Sequence, residues 1–229
     1  SEIFPNDNNI GNIFRGLMIS EIKKIENLNT SNVTNMSNMF SETTITTDVD
    51  LSKLDVSNVT DMPGMFSYSH IKNIDLSGLD MSNVTDMSNM FENSEVTSVN
   101  LSNTNTSSVE YMSSMFYACT SLTSVNLEGI DTSKVIDMRN MFAYCKQLTT
   151  LDISQIKTSK VTDMSYMFLE CTSLINLDVS NFDVTNMISN PNEVFNMFYG
   201  ITVPITISST WTEDMKKQTG YKGEGFIVK

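Results

Sequence analysis

The chain has 229 residues, the size of one large domain, and its 27 acidic against 14 basic residues give a net charge of −13. A chain this acidic lacks the basic patch that nucleic acid or an anionic membrane surface requires, so neither is expected as a partner. No run reaches the roughly 18 apolar residues of a membrane-spanning helix, so no membrane insertion is expected.

Residues 1–20 lack the pattern of the rest of the chain. Their apolar residues have the spacing of one helix face: Ile10, Ile13, Phe14, Leu17 and Met18. We predict a short helix here that caps the N-terminal end of the domain, because an open end would expose core and strand edges.

Residues 21–208 form an internal repeat. The dipeptide Met-Phe recurs at Met39, Met65, Met90, Met115, Met141, Met167 and Met197, in steps of 25 or 26 residues and a last step of 30. A second column of methionines accompanies it at Met36, Met62, Met87, Met112, Met138, Met164 and Met187. A fixed period in this range is typical of stacked-repeat architectures.

Each unit reads as a short strand followed by a short helix. Apolar spacing of the strand type occurs at 71–76, 122–127, 148–153 and 174–179. The segment from Val84 to Phe91 has the spacing of one helix face, and Pro63 after Asp61 fits a first helical turn with an N-cap. This predicts an α/β repeat solenoid of about seven rungs, like a leucine-rich repeat, with parallel strands on one face and helical turns on the other.

The last unit contains an insertion, because Met187 and Met197 are ten residues apart instead of three. The inserted segment carries Pro191 and is predicted to bulge as a loop, followed by a strand at Ile205–Ile207. Residues 209–229, with Trp211, are interpreted as a C-terminal cap. The whole of 1–229 is then one solenoid domain.

Three cysteines share one column: Cys119, Cys145 and Cys171. A zinc site or a disulfide is one interpretation, and a ladder of buried thiols is the other. We favour the thiol ladder, because no C-x-x-C or His-bearing zinc framework is present and parallel side chains suit a disulfide poorly.

Two acidic columns run along the units. The first, at Asp61, Asp86, Glu110, Asp137 and Asp163, allows calcium binding or helix capping, and capping is favoured. The second column follows the strands: Asp50, Asp75, Asn100, Asn126, Asp152 and Asp178. One interpretation of it is calcium binding or contact with a partner, and the other is a solvated face. No metal ligand or cofactor site is assigned.

No enzyme is expected. Six equivalent serines from Ser31 to Ser159 share the single histidine, His70, so they cannot form catalytic triads. Aromatic anchors are the better indication of a binding surface. Five tyrosines flank the Met-Phe positions and are expected to be exposed on the convex edge: Tyr68, Tyr111, Tyr117, Tyr144 and Tyr166.

The string Cys-x-Ser-Leu-Thr-Ser-Val-Asn-Leu, followed by Asp-Thr-Ser-Lys-Val-Ile-Asp-Met-x-x-Met-Phe, resembles the BspA-type leucine-rich repeats. These repeats occur in surface proteins of low-GC Gram-positive bacteria, mycoplasmas and some parasitic protists. The resemblance covers about residues 20–208. It implies a secreted or surface-attached bacterial protein that acts by adhesion, with this chain as part of its extracellular region, and it carries over no binding residue.

The sequence therefore leaves two functional hypotheses. The first is a non-catalytic, monomeric adhesion module that binds a protein or glycan on a host or neighbouring cell. The second is a structural spacer within a larger surface protein, which the small polar residues of the predicted strand face favour.

Overall fold

The structure is a computed structural model that describes residues 8–19, 28–45, 49–51 and 54–229. Within these ranges the chain forms short strands, one α-helix and two 3₁₀ helices. The strands are β1 (Met18–Ile19), β2 (Thr44–Ile45), β3 (Val49–Asp50), β4 (Asn73–Asp75), β5 (Ser98–Asn100), β6 (Ser124–Asn126), β7 (Leu177–Asp178), β8 (Ile205–Ile207) and β9 (Phe226–Val228). The helix α1 covers Glu213–Gln218, and the 3₁₀ helices cover Thr185–Met187 and Pro191–Val194.

The strands pair in parallel within three small sheets, ordered β1-β2, β3-β4-β5-β6 and β7-β8-β9. In this register Ile74 lies opposite Val99, which lies opposite Val125. These are equivalent positions of successive 25–26-residue units, so the units lie side by side. The strands predicted within 71–76, 122–127, 174–179 and 205–207 are confirmed.

The strand predicted at 148–153 is wrong. Within the described chain, no backbone hydrogen bond joins residues 150–152 to β6 or β7. The side-chain amide of Asn181 donates instead to the carbonyls of Ile153 and Ile156, each at 3.0 Å. The unit keeps the hydrogen bond from the Ile175 N–H to the Thr149 carbonyl at 3.0 Å, and the sheet ladder is interrupted after it.

The second half of each unit is not helical, so the predicted helices on the second face are also wrong. In one unit φ is +57° at Asn89 and +54° at Asn93, in the left-handed region that a right-handed helix excludes. The N–H of Phe91 donates to the carbonyl of Met115 in the next unit at 2.8 Å, whereas Glu92 N–H donates to Asn89 within the unit at 3.0 Å. Each unit therefore makes consecutive β-turns whose alternate N–H groups bond to the neighbouring unit.

This turn ladder explains why the sequence resembled a helix. Each turn brings the chain back after three residues, so apolar side chains spaced by three and four reach the core as they would from a helix. Pro63, expected in a first helical turn, lies in such a turn, and its carbonyl accepts a hydrogen bond from Asn38 N–H at 2.9 Å.

A column of phenylalanines runs through the core along the turn ladder. Neighbouring rings lie 5.3–6.2 Å apart between centroids and within 16° of parallel. The column comprises Phe14, Phe40, Phe66, Phe91, Phe116, Phe142, Phe168 and Phe198. The methionine that precedes each ring from Phe40 onward is also buried. Every unit thus contributes one ring to a single core.

Residues 8–16 follow the geometry of the later units, so the helix predicted within residues 1–20 is wrong for this part. The ring of Phe14 stacks on Phe40 at 5.3 Å, and φ is positive at Asn12 and Gly16. The dipeptide Ile13-Phe14 takes the place of Met-Phe, 26 residues before the first true copy. Residues 1–7 and 20 lie outside the described ranges.

The last unit has a different register from the predicted one. Met164 N–H donates to the carbonyl of Glu193 at 2.8 Å, so Val194, and not Met187, continues the first methionine column. The predicted loop contains the 3₁₀ helix Pro191–Val194, and the other 3₁₀ helix, Thr185–Met187, comes directly before it. After β8, Trp211 is buried with its ring 5.7 Å from Phe198, and β9 pairs with β8. These contacts cover the end of the phenylalanine column.

The three cysteines form the buried thiol ladder that the sequence favoured. All are free, and each thiol donates to the carbonyl of the phenylalanine in the preceding unit at 2.9–3.1 Å. Burial raises the pKa of Cys119 and of Cys171 to about 12. Such thiols are protonated at neutral pH and serve as small core residues.

We expect Phe116→Ala to destabilise the protein by about 3–5 kcal/mol, because it leaves a cavity between two stacked rings. Urea denaturation followed by circular dichroism measures the change. Ile175→Ala is the control, since Ile175 is 65 % exposed and surface changes of this kind stay within about 0.5 kcal/mol. A loss below about 1 kcal/mol for Phe116→Ala would contradict a core that depends on the column.

We expect Ala118→Gly to stabilise the protein by about 0.5–1 kcal/mol, because glycine adopts left-handed backbone more readily than alanine. Ala118 has a φ of +55°, and Gly16 and Gly200 occupy the equivalent position of other units. The control is Ala143→Gly at a buried site that is not left-handed, where a loss of about 0.5–1 kcal/mol is expected. Equal shifts in melting temperature for the two variants would refute the backbone explanation.

Candidate functional site

The consecutive turns build a groove along the turn side of the molecule, which we name the turn-side groove. One wall is the left-handed residue before each Met-Phe pair: Asn38, Gly64, Asn89, Ser114, Asn140 and Tyr166. The other wall is the left-handed residue two positions after the pair: Glu42, Tyr68, Asn93, Ala118, Tyr144 and Glu170. The floor is the residue that directly follows the phenylalanine of each pair: Ser41, Ser67, Glu92, Tyr117, Ala143 and Leu169. Several floor residues are small and buried, which keeps the groove open.

Three of the five predicted tyrosines meet in this groove. They line a hollow of about 420 Å³ together with Arg139 and Asn140. The rings of Tyr117 and Tyr144 lie 5.6 Å apart and nearly perpendicular, and the guanidinium of Arg139 lies 6.0 Å from the centre of the Tyr166 ring. Edge-to-face rings and a cation over a ring are both favourable aromatic arrangements, so the cluster holds a defined shape.

A second hollow of about 260 Å³ continues the groove toward the N-terminus. Glu92 lines both hollows, and Tyr68, which is 51 % exposed, lines the second. The far end carries an ion pair between Arg15 and Glu42 with a nitrogen–oxygen distance of 2.7 Å. The groove therefore extends across seven successive units with tyrosines in both hollows.

Partial burial changes the acid–base behaviour of the groove floor. Burial raises the pKa of Glu92 above its usual value, against a smaller opposite effect of the Asn93 amide. Burial also raises the pKa of Tyr117, with added repulsion from Tyr144 and Glu92. Both groups therefore favour the protonated form more than they would in water.

Tyr111 does not line the turn-side groove. It pairs in parallel with Asp86 on one side and Asp137 on the other, in the column predicted to be acidic. Glu110, which the sequence assigned to this column, is one residue out of register. The reason is the 25-residue step, since Asp86 plus 25 is position 111.

Several groove residues carried no individual signal in the sequence, among them Arg15, Glu92, Arg139, Asn140 and Leu169. Their positions relative to the Met-Phe pair are regular, so the repeat contained the signal. Reading this segment as a helix concealed it, because a helix would have spread these positions around its circumference.

The first acidic column binds its own backbone. The carboxylate oxygens of Asp86, Asp137 and Asp163 accept N–H groups two residues ahead at 2.7–2.9 Å. This is the chemistry expected of a cap, but it closes an Asx turn and not a helix. Burial raises the pKa of Asp137, and the neighbouring Asp163 raises it further.

The second column, along the strands, has the predicted register. Asp50 lies opposite Asp75, and the pairing continues through Asn100 to Asn126. From Asp75 to Asp178 each member accepts the N–H two residues ahead at 2.9–3.1 Å: Asp75, Asn100, Asn126, Asp152 and Asp178. The column is therefore engaged in local turns.

A cleft of about 700 Å³ opens beside this column where the sheet ladder is interrupted. Asp152, Asp178 and Lys229 line it. The Lys229 ammonium bonds to Asp178 at 2.6 Å and lowers the pKa of that carboxyl to about 2, while the Ser154 hydroxyl and N–H lower the pKa of Asp152. The lining of the cleft is mixed, with Lys229 paired to Asp178 and the Asp152 carboxylate bonded to Ser154.

Among the residues that the structure describes, no three His, Cys, Asp or Glu side chains are grouped so as to hold a metal ion. In the same part of the chain, none of the helices is long and apolar enough to cross a membrane.

These features define a repeat protein whose 25–26-residue units lie side by side, with short parallel strands along one side and a turn-built groove along another. The chain belongs to the family described as "Mycoplasma protein of unknown function, DUF285", which matches residues 8–124 and again residues 92–211. Two overlapping matches are what a repeated unit produces. No curated protein matches the chain.

We expect Asp137→Asn to stabilise the protein at neutral pH. A raised carboxyl pKa means that the folded state holds the proton more tightly, so stability is lost as pH rises above the unfolded value of 3.8. Asparagine keeps the Asx turn, as at Asn9 and Asn35, and carries no charge. Melting temperatures between pH 3 and pH 7 measure the effect, which should disappear below pH 3.8.

Asp152→Asn is the matched control for this experiment. The pKa of Asp152 is lowered, so its carboxylate stabilises the folded state at neutral pH and the same substitution should destabilise. Identical pH profiles for the two variants would show that the environments of the columns do not differ as described.

Proposed function

We propose that this chain is a non-catalytic binding module of a bacterial surface protein. In this proposal the units form a leucine-rich-repeat solenoid of the BspA type, located outside the cell and acting as a monomer. It binds a protein or glycan of a host or neighbouring cell through the turn-side groove, and the resulting contact serves adhesion.

One observation carries the proposal: tyrosines from three successive units converge on one hollow. Tyr117, Tyr144 and Tyr166 lie in it half-buried, neither enclosed in the core nor scattered over the surface. Tyrosine provides a large contact area together with a hydroxyl at low conformational cost, and binding sites are enriched in it.

The sequence resemblance supports the same class of function. BspA-type repeats occur in adhesive surface proteins, and the phenylalanine column supplies a continuous core on which exposed positions can vary. The electrostatics agree with a partner that is not strongly acidic, since the chain carries a net charge of −13.

A structural spacer remains the second candidate, because of the strand side. On this side, the exposed residues at the start of β6 and at the interruption of the sheet ladder are small and polar: Thr123, Ser124, Thr149 and Thr150. Such residues offer few anchors for a partner. A spacer would need the stacked core but not the tyrosine hollow.

Cell binding of the purified, fluorescently labelled chain tests the proposal. We expect saturable binding to cultured animal epithelial cells, and we expect the double change Tyr117→Ala and Tyr144→Ala to weaken it at least about tenfold, as loss of central aromatic anchors does.

Tyr111→Ala is the matched control, since Tyr111 is also exposed (40 %) but lies outside the groove. It should bind like the unchanged protein. Loss of binding with Tyr111→Ala alone would move the site away from the groove. Absence of saturable binding to any cell would favour the spacer.

A further inference from the structure

We infer that the occupant of the turn-side groove is a neutral, linear glycan that lies along the groove and contacts one sugar per unit. This inference rests on the proposed binding function and narrows its ligand class. Four features of the groove carry it: its spacing, its saturated backbone, its balanced charge and its side-chain chemistry.

The spacing of the units suits a polymer of sugars. From Phe66 to Phe168 the ring centroids of neighbouring units lie 5.3–5.9 Å apart. Units joined by backbone hydrogen bonds are spaced by about 5 Å, and equivalent groove positions repeat at this interval. A pyranose in an extended chain advances by about the same interval. Successive sugars therefore meet equivalent positions in successive units.

The backbone of the groove has little to offer an added peptide strand. The N–H groups of Asn140 and Tyr144 donate to the next unit, at 3.0 and 2.7 Å, and that of Ala143 closes a turn within its own unit. The unit of Ser114 has the same arrangement, and its Ala118 N–H bonds to the carbonyl of Ala143 at 2.8 Å. Strand addition needs an unpaired edge, so recognition must use side chains.

The charges of the groove balance. The two hollows are lined by Arg15 and Arg139 against Glu42 and Glu92, and Arg15 is already paired with Glu42. Toward the C-terminal end the wall adds Glu170, and the Lys146 ammonium lies 5.8 Å from the centre of the Tyr144 ring. A sulfated or uronic-acid polymer would find no excess of positive charge here and would meet an acidic protein beyond it. A neutral polymer meets no such penalty.

The side chains have the chemistry that recognises sugars. A pyranose presents C–H groups on its faces and hydroxyls around its edge. The rings of Tyr117, Tyr144 and Tyr166 offer faces and edges for the C–H groups, while the Asn140 amide and the Glu92 carboxylate supply hydrogen-bond partners for hydroxyls. Tyr68 repeats an aromatic contact farther along.

Isothermal titration calorimetry with oligosaccharides of two to six units tests the inference. The probes are linear hexose and N-acetylhexosamine oligomers, with heparin fragments of equal length as the charged comparison. We expect at least one neutral series to bind more tightly as it lengthens, with the hexamer about tenfold or more above the dimer, since each added unit engages another repeat.

The variants locate the ligand. Tyr117→Ala and Tyr166→Ala should weaken both the dimer and the hexamer, whereas Tyr68→Ala should weaken the hexamer more, because Tyr68 lies in the second hollow. Tyr111→Ala should bind like the unchanged chain. Circular dichroism and melting temperature confirm that each variant is folded.

The remaining outcomes separate this inference from the proposed function. If no neutral oligomer binds while epithelial cells still do, and protease treatment of the cells removes that binding, the partner is a protein and the glycan inference is wrong. Preference for heparin fragments over neutral oligomers would also overturn it. If neither oligomers nor cells bind, both the inference and the proposed function fail.

Discussion

The stacking of phenylalanine rings is the interaction on which the rest of this molecule depends. Rings within 16° of parallel and 5.3–6.2 Å apart pass through eight units from Phe14 to Phe198. No unit of 25 residues can bury a ring on both faces by itself, so each unit is completed by its neighbours. Trp211 covers the last ring. The same stack sets the interval at which every other side chain repeats.

The turn ladder follows from the need to bring the chain around each ring. Alternate N–H groups bond to the next unit and the others close turns, so the backbone is satisfied without a helix. Two left-handed positions per unit result, as at Asn140 and Tyr144. Their side chains stand beside a floor of small residues such as Ala143, and this arrangement produces the groove. The candidate site is therefore a consequence of the backbone pattern and not an addition to it.

Much of the fold could be predicted, because a repeated sequence must place equivalent residues in equivalent surroundings. The register of β4, β5 and β6 and the thiol ladder followed from spacing alone. The helices did not, since a three-residue turn and a helix present apolar residues at nearly the same intervals. The missing strand at 148–153 was not visible in the sequence, because this segment has the same apolar spacing as the segments that do form strands. Apolar spacing indicates which side chains are buried, but it does not determine which backbones pair.

The candidate site, like the fold, could be predicted from the sequence only in part. The sequence by itself determined that the tyrosines lie next to the Met-Phe positions and that the chain carries a net charge of −13, because period and composition are properties of the chain. Only the tertiary structure decided that Tyr117, Tyr144 and Tyr166 meet, that Glu92 joins them and that Tyr111 stands apart. The reason is physical: stacking brings together residues 22–27 positions apart, and a one-residue difference in step length moves a side chain from one column to the next.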